Sequence, residues 1–589
     1  MKSEEFDRLK GIAASPGIAA GEVWLAEELV FTSFKESITA SQVDKELGRL
    51  GRAMDRTRLE LQQLKSEVKA KIGADHAFIF DAHLLILDDR ALRASLEGII
   101  REEKSRAEWA LSRVNSDYRK IFESLQDQYF RERRSDISDV LTKIYRNLEA
   151  KPRPAEEGPS RRILVAHDLL PSEAALQLSS GKILAVALDT GGTTSHAVIL
   201  ARSLNIPAVV GLHNVTEGAA NGLPIIVDGT DGEVIINPPP ALRKEFLSKK
   251  ERYDAYRREL RKSAKLDSVT LDGYRFIPMA NIELPEEVSQ SQSMGAEGIG
   301  LFRSEFIYLQ SASLPTEDEH FAIYSRLAKA AYPQPVYIRT VDIGGEKSFP
   351  ALKIEKEPNP ALGLRAVRLS LKYRDEFRTQ MRAILRASSL KNVRILIPMV
   401  TEAEEIGEVK LMFEEAKDEL RAEKAKLDEK IPLGVMIEVP AAAAMIDVLI
   451  KDVDYVSIGT NDLLQYFLAV DRSNEYVSHL YKPLHPAALR LIKFIIDTAN
   501  RAGKDVTVCG EMAADPVSAL VLLGFGLKKF SMNPIFIPRV KKALRAVEFK
   551  TVSKIVQEAI HLRTAQEVEE HVLERILAKH PLAFLTGQM

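Results

Sequence analysis

The 589-residue sequence contains a single cysteine, Cys509, which excludes an internal disulfide. No apolar run reaches the roughly 18 residues needed to span a membrane, and the N-terminal MKSEEFDRLKG lacks the apolar segment of a signal peptide. Basic and acidic side chains nearly cancel, 82 against 84, so the net charge is only -2. A balance of this kind does not favour nucleic acid or anionic membranes as partners. We therefore expect a cytoplasmic protein with no membrane insertion and no nucleic-acid partner.

Proline and glycine are scarce from Ser41 to Ala150, where long helices are predicted. Apolar residues recur there at helical steps, as in Leu47, Leu50, Met54, Leu61, Leu64 and Val68. Further helices are predicted at Phe78–Glu103, Arg106–Phe130 and Ser135–Leu148, which suggests a four-helix unit. One face of it holds His83, Leu84, Leu85, Leu87, Arg131, Arg133 and Arg134. That face either receives a small partner or is a core stripe with solvated charges.

Strand patterns flank this helical segment. Residues 11–25 indicate short strands around Pro16 and Gly17, and similar patterns return after the linker KPRPAEEGPS, ending in the hairpin PIIVDGTDGEVIINP. We infer one α/β domain into which the helices are inserted. A charged connecting helix follows. The predicted segments are 1–30, 31–150, 151–238, 239–265 and 266–589, the last being the longest.

The stretch DTGGTTSHAVILAR, residues 189–202, indicates a glycine turn that leads into a helix with His196 at its N-terminus. Unpaired amides and the positive end of the helix dipole favour an anionic group at such a position. His196 is therefore a candidate nucleophile for a phosphoryl group. Taken by itself, the stretch is more typical of an ordinary strand-to-helix turn with a surface histidine, because glycine-rich turns before helices are common.

Eight strand-like runs separated by amphipathic helices occupy residues 275–533. They lie at 275–282, 298–306, 336–345, 393–400, 433–440, 455–462, 505–512 and 529–533. This length and alternation are typical of a (β/α)8 barrel, whose active site lies at the carboxyl ends of the strands. The fold class expected is therefore multidomain α/β: an α/β domain with a helical insert, followed by a TIM barrel.

Polar residues at the ends of these runs predict a pocket for a small anionic substrate. Glu438 and Asp462 end adjacent runs, and two carboxylates suit Mg²⁺. Cationic side chains that suit a phosphate are dense in the same places: Arg303, Arg339, Lys347, Arg365 and Arg472. Cys509 ends the seventh run, where a thiol is either a proton donor to carbon or a small buried apolar side chain.

Seven segments carry a resemblance to a known family. They are GGTTSHAVILARSLNIPAVVG, GAEGIGLFRSEF, IRTVDIGGEK, NPALGLRAVR, GVMIEVPAAA, SIGTNDLLQYFLAVDR and VCGEMAADP. In this order, and with the ASPGIAAG opening and the helical insert, the chain resembles the Enzyme I family of the bacterial phosphotransferase system. Single segments are also shared with pyruvate phosphate dikinases and phosphoenolpyruvate synthases.

The resemblance implies that phosphoenolpyruvate phosphorylates His196, that Mg²⁺ binds Glu438 and Asp462, and that Cys509 protonates the enolate to pyruvate. The implied substrate contacts are Arg303, Arg339, Lys347, Arg365, Asn461, Asp462 and Arg472. It further implies that segments 1–30 and 151–238 form a phosphohistidine domain, with 239–265 a linker helix. Segment 31–150 would dock the phosphocarrier HPr or a paralogue. Segment 266–589 would bind phosphoenolpyruvate and form a homodimer.

Two departures from the family pattern lie near His196. Leu170 replaces the threonine of the common DLTPS, and Thr193 stands where some members have arginine. Both remove polar groups and bear on the stability of a phosphohistidine and on the choice of carrier. Rival interpretations are an ATP-dependent dikinase or synthase, the nitrogen-related branch of the family, a sensor without turnover, and a lyase without a phosphoenzyme.

Overall fold

A computed structural model describes residues 6–26, 31, 34–72, 79–123, 128–149, 162–192, 195–309, 314–344, 357–472, 474 and 476–579. The chain forms two compact units, Met1–Ala255 and Tyr256–Met589. The first combines a mixed sheet with helices, and the second is a closed parallel barrel surrounded by helices. In the described part of the chain, no helix has both the length and the apolar character required to cross a bilayer.

One eight-stranded sheet organises the first unit. Its strands are β1 Asp7–Lys10, β2 Ile12–Ser15, β3 Ile18–Leu25, β4 Arg162–Ala166, β5 Ile183–Leu188, β6 Ala208–Val210, β7 Pro224–Asp228 and β8 Glu233–Ile236. Their spatial order is β1-β8-β7-β3-β4-β5-β6-β2. Strand β3 pairs with β4 in parallel and with β7 antiparallel. The strands that precede the helical segment thus share a sheet with those that follow it, as an insertion requires.

The inserted helices number five in the described residues, not four. They are Val43–Ile72, Ile79–Leu87, Arg90–Glu103, Ala107–Glu123 and Gln128–Glu149. The prediction of one helix over 78–103 is wrong because the helix is interrupted at Asp88 and Asp89. The Asp89 carboxylate accepts the Ala91 amide at 2.7 Å and thereby caps a new helix.

Apolar side chains join these helices to one face of the sheet in a continuous core. The same face carries the short helices Pro171–Leu178 and His196–Ser203. A third short helix, Val215–Gly218, packs into the other apolar cluster of the sheet. A polar contact crosses from the insert as well. Asp139 accepts the Ser172 amide at 2.7 Å and the Ser172 hydroxyl at 2.6 Å, at the start of the helix Pro171–Leu178. The insert is therefore packed onto the α/β part and is not merely tethered to it.

The charged connecting segment is the helix Pro240–Ala264, within which the boundary between the two units falls. In the first unit its Phe246 packs against Ile18, Ile226 and Ile235 of the sheet. In the second unit Lys542 lies over the Tyr256 ring at 4.8 Å, and Lys541 donates to the Ala264 carbonyl at 3.0 Å.

The second unit is a closed barrel of eight parallel strands, as the βα repeats predict. The strands are β9 Ile277–Ile282, β10 Ile299–Arg303, β11 Val336–Arg339, β12 Val393–Ile397, β13 Leu433–Ile437, β14 Tyr455–Ile458, β15 Asp505–Val508 and β16 Lys529–Met532. Its helices are Glu287–Ser293, Glu305–Leu309, Glu317–Ala331, Val367–Lys372, Arg374–Ala387, Ala403–Ala422, Pro440–Ala444, Ile446–Leu449, Thr460–Leu468, Pro486–Arg501, Pro516–Gly524, Ile537–Arg545, Phe549–Ala559 and Ala565–Leu577.

Several strands end earlier than the sequence pattern predicts, which corrects the runs 336–345, 393–400 and 455–462. In the first two runs, backbone amides beyond the strand bond to side chains, and in the third the helix Thr460–Leu468 begins two residues after β14 ends. The Val341 amide donates to Gln380 at 3.0 Å, and the Met399 amide donates to Glu438 at 2.7 Å. The polar residues predicted at strand ends consequently lie mostly on the loops and helix starts just beyond them.

We expect the stability of the barrel unit to depend on pH through His320. This side chain is buried on the helix Glu317–Ala331, between the rings of Tyr308 and Tyr324 at 5.2 and 5.5 Å. Burial lowers its pKa to about 4. The unfolded chain takes up this proton from about pH 6.5 downward, while the folded chain does not, so stability falls as pH drops from about 6.5 to about 4. The loss from this group is roughly 2–3 kcal/mol by about pH 4.5.

Denaturant unfolding of wild type and His320→Phe near neutral pH and near pH 4.5 tests this assignment. The phenylalanine keeps an aromatic ring between the two tyrosines and cannot titrate. The acid-induced loss of stability should be smaller in the variant. Equal losses in the two proteins would show that His320 does not cause the pH dependence.

Candidate active site

Most of the candidate pocket residues lie at the carboxyl ends of the barrel strands. Arg303 and Arg339 are the last residues of β10 and β11, and Glu438 and Cys509 directly follow β13 and β15. Asn461 and Asp462 lie in the first turn of the helix Thr460–Leu468, which follows β14. Because parallel strands of a closed barrel all end at the same rim, these side chains belong to one mouth of the barrel.

Two arginines and two aspartates form the centre of this mouth. Arg365 donates to both oxygens of Asp342, at 3.1 and 2.9 Å, and lies 3.6 Å from Asp462. Arg339 approaches the same Asp342 at 3.2 Å and also bonds to the buried Glu305. The guanidinium groups are held in fixed planes, a geometry suited to bidentate recognition of phosphate or carboxylate.

The carboxylate of Glu438 is buried, with 1% of the residue exposed. Burial, and then the charges of Asp462 and Asp342, raise its pKa to about 8, which means that negative charge is crowded here. The backbone leaves room for the carboxylate at Gly459, where a Cβ would lie 2.6 Å from Glu438 Oε2. A buried oxygen donor beside a second carboxylate fits a divalent cation such as Mg²⁺.

Glu438 and Asp462 do not by themselves make a closed metal cage. Among the described residues there is no group of three or more histidine, cysteine, aspartate or glutamate side chains arranged to hold a metal. Mg²⁺ usually keeps several waters and shares its remaining positions with substrate oxygens. The donor set therefore fits an ion bound together with its substrate.

Cys509 is 5% exposed, and its sulfur accepts a hydrogen bond from the Ser457 hydroxyl at 3.3 Å. Burial raises the pKa of this thiol to about 11, although the charges of Arg339 and Arg303 partly oppose the rise. The group is consequently a thiol throughout the neutral range and carries a proton to donate. Its backbone carbonyl accepts from Asn281 at 2.8 Å, which ties it to the first strand of the barrel.

The remaining candidates divide into three groups. Asn461 and Arg472 share Glu511, each donating to its Oε1 at 3.1 Å, so the structure brings these two together. Arg303 is partly exposed and pairs with Glu283 at 3.0 Å instead of joining the central cluster. Lys347, a predicted substrate contact, lies outside the described residues.

His196 belongs to the first unit, whereas the barrel residues belong to the second. It is the first residue of the helix His196–Ser203, as the glycine-turn pattern predicts, and the description of this residue extends to its backbone only. Leu170 is the N-cap residue of the helix Pro171–Leu178 and makes no capping hydrogen bond with its side chain. Thr193 lies outside the described residues.

Comparison with known proteins places this geometry in a family. Three family models match the chain: PEP-utilising enzyme, N-terminal, over 10–133; its mobile domain over 158–232; and its PEP-binding domain over 257–549. The phosphoenolpyruvate-protein phosphotransferase of Geobacillus stearothermophilus is 42% identical over 568 residues, covering 96% of this chain and 97% of its own length. The chain belongs to the phosphoenolpyruvate-protein phosphotransferase family.

Other proteins are similar to this chain as well. The phosphoenolpyruvate-protein phosphotransferase of Staphylococcus aureus strain MRSA252 is 40% identical over 566 residues, covering 96% of this chain and 98% of its own. An NMR solution structure of an Enzyme I protein is 38% identical and covers 42% of this chain and 99% of its own, with a TM-score of 0.36. Membership confirms the family predicted from the sequence motifs.

Sequence reasoning missed several buried or partly buried polar residues around the candidate site: Tyr324, Gln380, Ser457, Tyr466 and Ser531. Gln380 lies on a helix distant in sequence from the strands that it supports, and nothing in its local pattern distinguishes it from a surface glutamine. Ser457 faces the barrel interior within an otherwise apolar strand, which was the one available signal. Tyr466 lies within the quoted segment SIGTNDLLQYFLAVDR but resembles an ordinary helix residue there.

Proposed function

We propose that this protein transfers the phosphoryl group of phosphoenolpyruvate to His196 and then to a histidine of the phosphocarrier HPr or a paralogue, releasing pyruvate. This is the first step of the sugar phosphotransferase system. The observation that carries the proposal is the joint presence of paired arginines, two carboxylates and a protonated thiol at one rim of the barrel. Membership of the phosphoenolpyruvate-protein phosphotransferase family supports it.

In the first half-reaction, Arg339 and Arg365 bind and orient the phosphate, with Arg303, Lys347, Asn461 and Arg472 as further substrate contacts. A neutral imidazole nitrogen of His196 attacks phosphorus, and the bond from phosphorus to the enolate oxygen breaks. Cys509 then gives its proton to the methylene carbon, and pyruvate forms. The Ser457 hydroxyl, already bonded to the sulfur, steadies the thiolate that remains.

Glu438 and Asp462 would hold Mg²⁺ in this scheme. The ion, when bound, would neutralise charge on the phosphate and on the enolate oxygen. Both carboxylates are held in place by neighbouring groups. The Met399 amide donates to Glu438, and Asp462 lies 3.6 Å from Arg365.

We assign the parts of the chain as follows: 1–30 and 151–238 to the phosphohistidine domain, 31–150 to HPr docking, 239–265 to the linker helix, and 266–589 to phosphoenolpyruvate binding and dimerisation. Docking on the helical insert is supported by Leu59 and Leu85, which are 66% and 74% exposed on neighbouring helices. Exposed apolar side chains suit a protein partner. His83 and Leu87, from the face predicted for the partner, are buried instead.

A homodimer through the barrel is supported by exposed apolar residues on its outer layer: Phe467 and Phe494 on two helices, and Met445 between two others. Sedimentation of the full chain over a range of concentrations tests it. A single monomeric species at every concentration would contradict the assignment.

Intact-protein mass spectrometry at neutral pH tests the function. Addition of phosphoenolpyruvate and Mg²⁺ should attach one acid-labile phosphoryl group per chain and release pyruvate in equal amount. The matched control contains a chelator in place of Mg²⁺ and should show neither product at a comparable rate. Pyruvate released without protein phosphate would favour a lyase, and no reaction at all would favour a sensor.

A further inference from the structure

Asp342 makes contacts that single it out within the barrel mouth. Its Oδ1 accepts Arg365 Nε at 3.1 Å, and its Oδ2 accepts Arg365 Nη2 at 2.9 Å. The same Oδ2 lies 3.2 Å from Arg339 Nη1. One carboxylate, 6% exposed, thus sits between two arginines that come from separate segments of the chain. Without it, the guanidinium groups of Arg339 and Arg365 would lose the carboxylate that they share, and their like charges would repel.

The backbone around Asp342 is held by buried polar groups. Its own amide donates to Glu305 at 3.1 Å, and Glu305 also receives a hydrogen bond from Arg339. The preceding amide, of Val341, donates to the Gln380 side chain. Gln380 in turn donates to the hydroxyls of Ser304 and Tyr324, at 3.1 and 3.0 Å. Because these groups are buried and bonded, the carboxylate has little freedom to move.

The far side of Arg365 is held as well. Its Nη1 donates to the Tyr466 hydroxyl at 3.1 Å, and that hydroxyl donates to the Ala361 carbonyl. The backbone of Arg365 is also held, by a close approach to the backbone of Gly344. Gly344 pairs with Arg365 in a β-bridge at φ of 108°, and a Cβ there would lie 2.1 Å from the Leu364 carbonyl. The guanidinium of Arg365 is therefore set in one orientation before any substrate arrives.

We propose that Asp342 is a positioning residue that aligns the guanidinium groups of Arg339 and Arg365 for the phosphate of phosphoenolpyruvate. Two planar donors bind a phosphate well only if both are aimed at it, and prior alignment removes the cost of ordering them on binding. This inference rests on the proposed function, since it takes phosphoenolpyruvate as the ligand of the barrel.

The proposal predicts an effect opposite in sign to simple electrostatics. Asp342→Asn removes one negative charge from a site that binds an anion. If charge alone mattered, phosphoenolpyruvate would bind more tightly. If Asp342 aligns the arginines, binding should weaken, because the asparagine amide nitrogen is a donor and cannot accept from a guanidinium. We expect Kd to rise about tenfold or more.

Calorimetric titration of phosphoenolpyruvate with Mg²⁺ into the full chain measures this without turnover. The parent is His196→Ala, which cannot accept the phosphoryl group, and the test protein is His196→Ala with Asp342→Asn. The matched control carries Asp447→Asn, the same chemical change at an exposed helix position of the barrel unit. Asp342→Glu keeps the charge but displaces it by one methylene, and should give an intermediate Kd.

The outcomes separate cleanly. A raised Kd for Asp342→Asn, with the Asp447→Asn control at the parent value, supports the proposal. An equal or lower Kd for Asp342→Asn overturns it. If Asp342→Asn does not fold, the Asp342→Glu protein decides, and an unchanged Kd there overturns the proposal. Failure of the parent itself to bind phosphoenolpyruvate would show that the proposed function is wrong, and the inference would fall with it.

Discussion

Replacement of His196 by alanine should abolish the phosphoenzyme completely. In the proposed reaction the imidazole nitrogen is the atom that forms the new bond to phosphorus, so no residual pathway through this residue remains. His196 begins the helix His196–Ser203, where backbone amides and the helix dipole would favour a phosphoryl group on this residue. Incubation with phosphoenolpyruvate and Mg²⁺ should therefore leave the mass of the variant unchanged, and no pyruvate should accumulate beyond the uncatalysed background.

The matched control is His561→Ala, an exposed histidine of the barrel unit outside the proposed site. It should take up one phosphoryl group as wild type does. Phosphate on the His196→Ala protein would place the phosphorylated residue elsewhere in the chain. Pyruvate formation at the wild-type rate with no phosphate on the protein would instead support the lyase interpretation.

Replacement of Cys509 by alanine should slow pyruvate formation by roughly 10²- to 10⁴-fold, the range typical of a lost general acid. The raised pKa, about 11, keeps the thiol protonated at neutral pH, so its proton is available in nearly every molecule. Burial excludes water as an easy substitute, because only 5% of the residue is exposed. Rapid-quench measurement of pyruvate in a single turnover gives the rate directly.

Ser457→Ala provides a graded companion to this experiment, since it removes the hydrogen bond to the sulfur but leaves the thiol. We expect a smaller loss than in Cys509→Ala, because a neutral hydrogen bond contributes less than the proton donor itself. Thermal unfolding of both variants shows whether the cavity left in the barrel has changed the fold. A single-turnover rate in Cys509→Ala equal to that of wild type would rule out the thiol as the proton donor.

The barrel was predictable because eight apolar runs alternate with amphipathic helices, and each run records its own local environment. The hairpin of β7 and β8 was predictable from the turn residues between Asp228 and Glu233. The helix over 78–103 was predicted wrongly because its apolar spacing continues across Asp88 and Asp89. One helix ends there, and Asp89 caps the start of the next.

For the candidate site, the sequence identified the residues but not their partners. The ends of the runs identified which residue types gather at the barrel mouth, and the family motifs assigned them roles. Their pairing could not be predicted from the pattern. Arg303 carries the same side chain as Arg339, yet it bonds to Glu283 near the surface while Arg339 is buried against Glu305 and Asp342. Side chains of one type become different in function through neighbours that are far away in sequence.

For this protein the sequence alone determined the element types, the barrel, the family and the candidate nucleophile, because hydrophobic period, glycine turns and motif order are local properties of the chain. Only the tertiary structure decided that Asp342 joins two arginines, that Gln380 supports the loop beneath it, and that Ser457 meets the Cys509 sulfur. Those contacts depend on where the closed barrel brings separate segments together, and a hydrogen bond is made or lost within a fraction of an ångström.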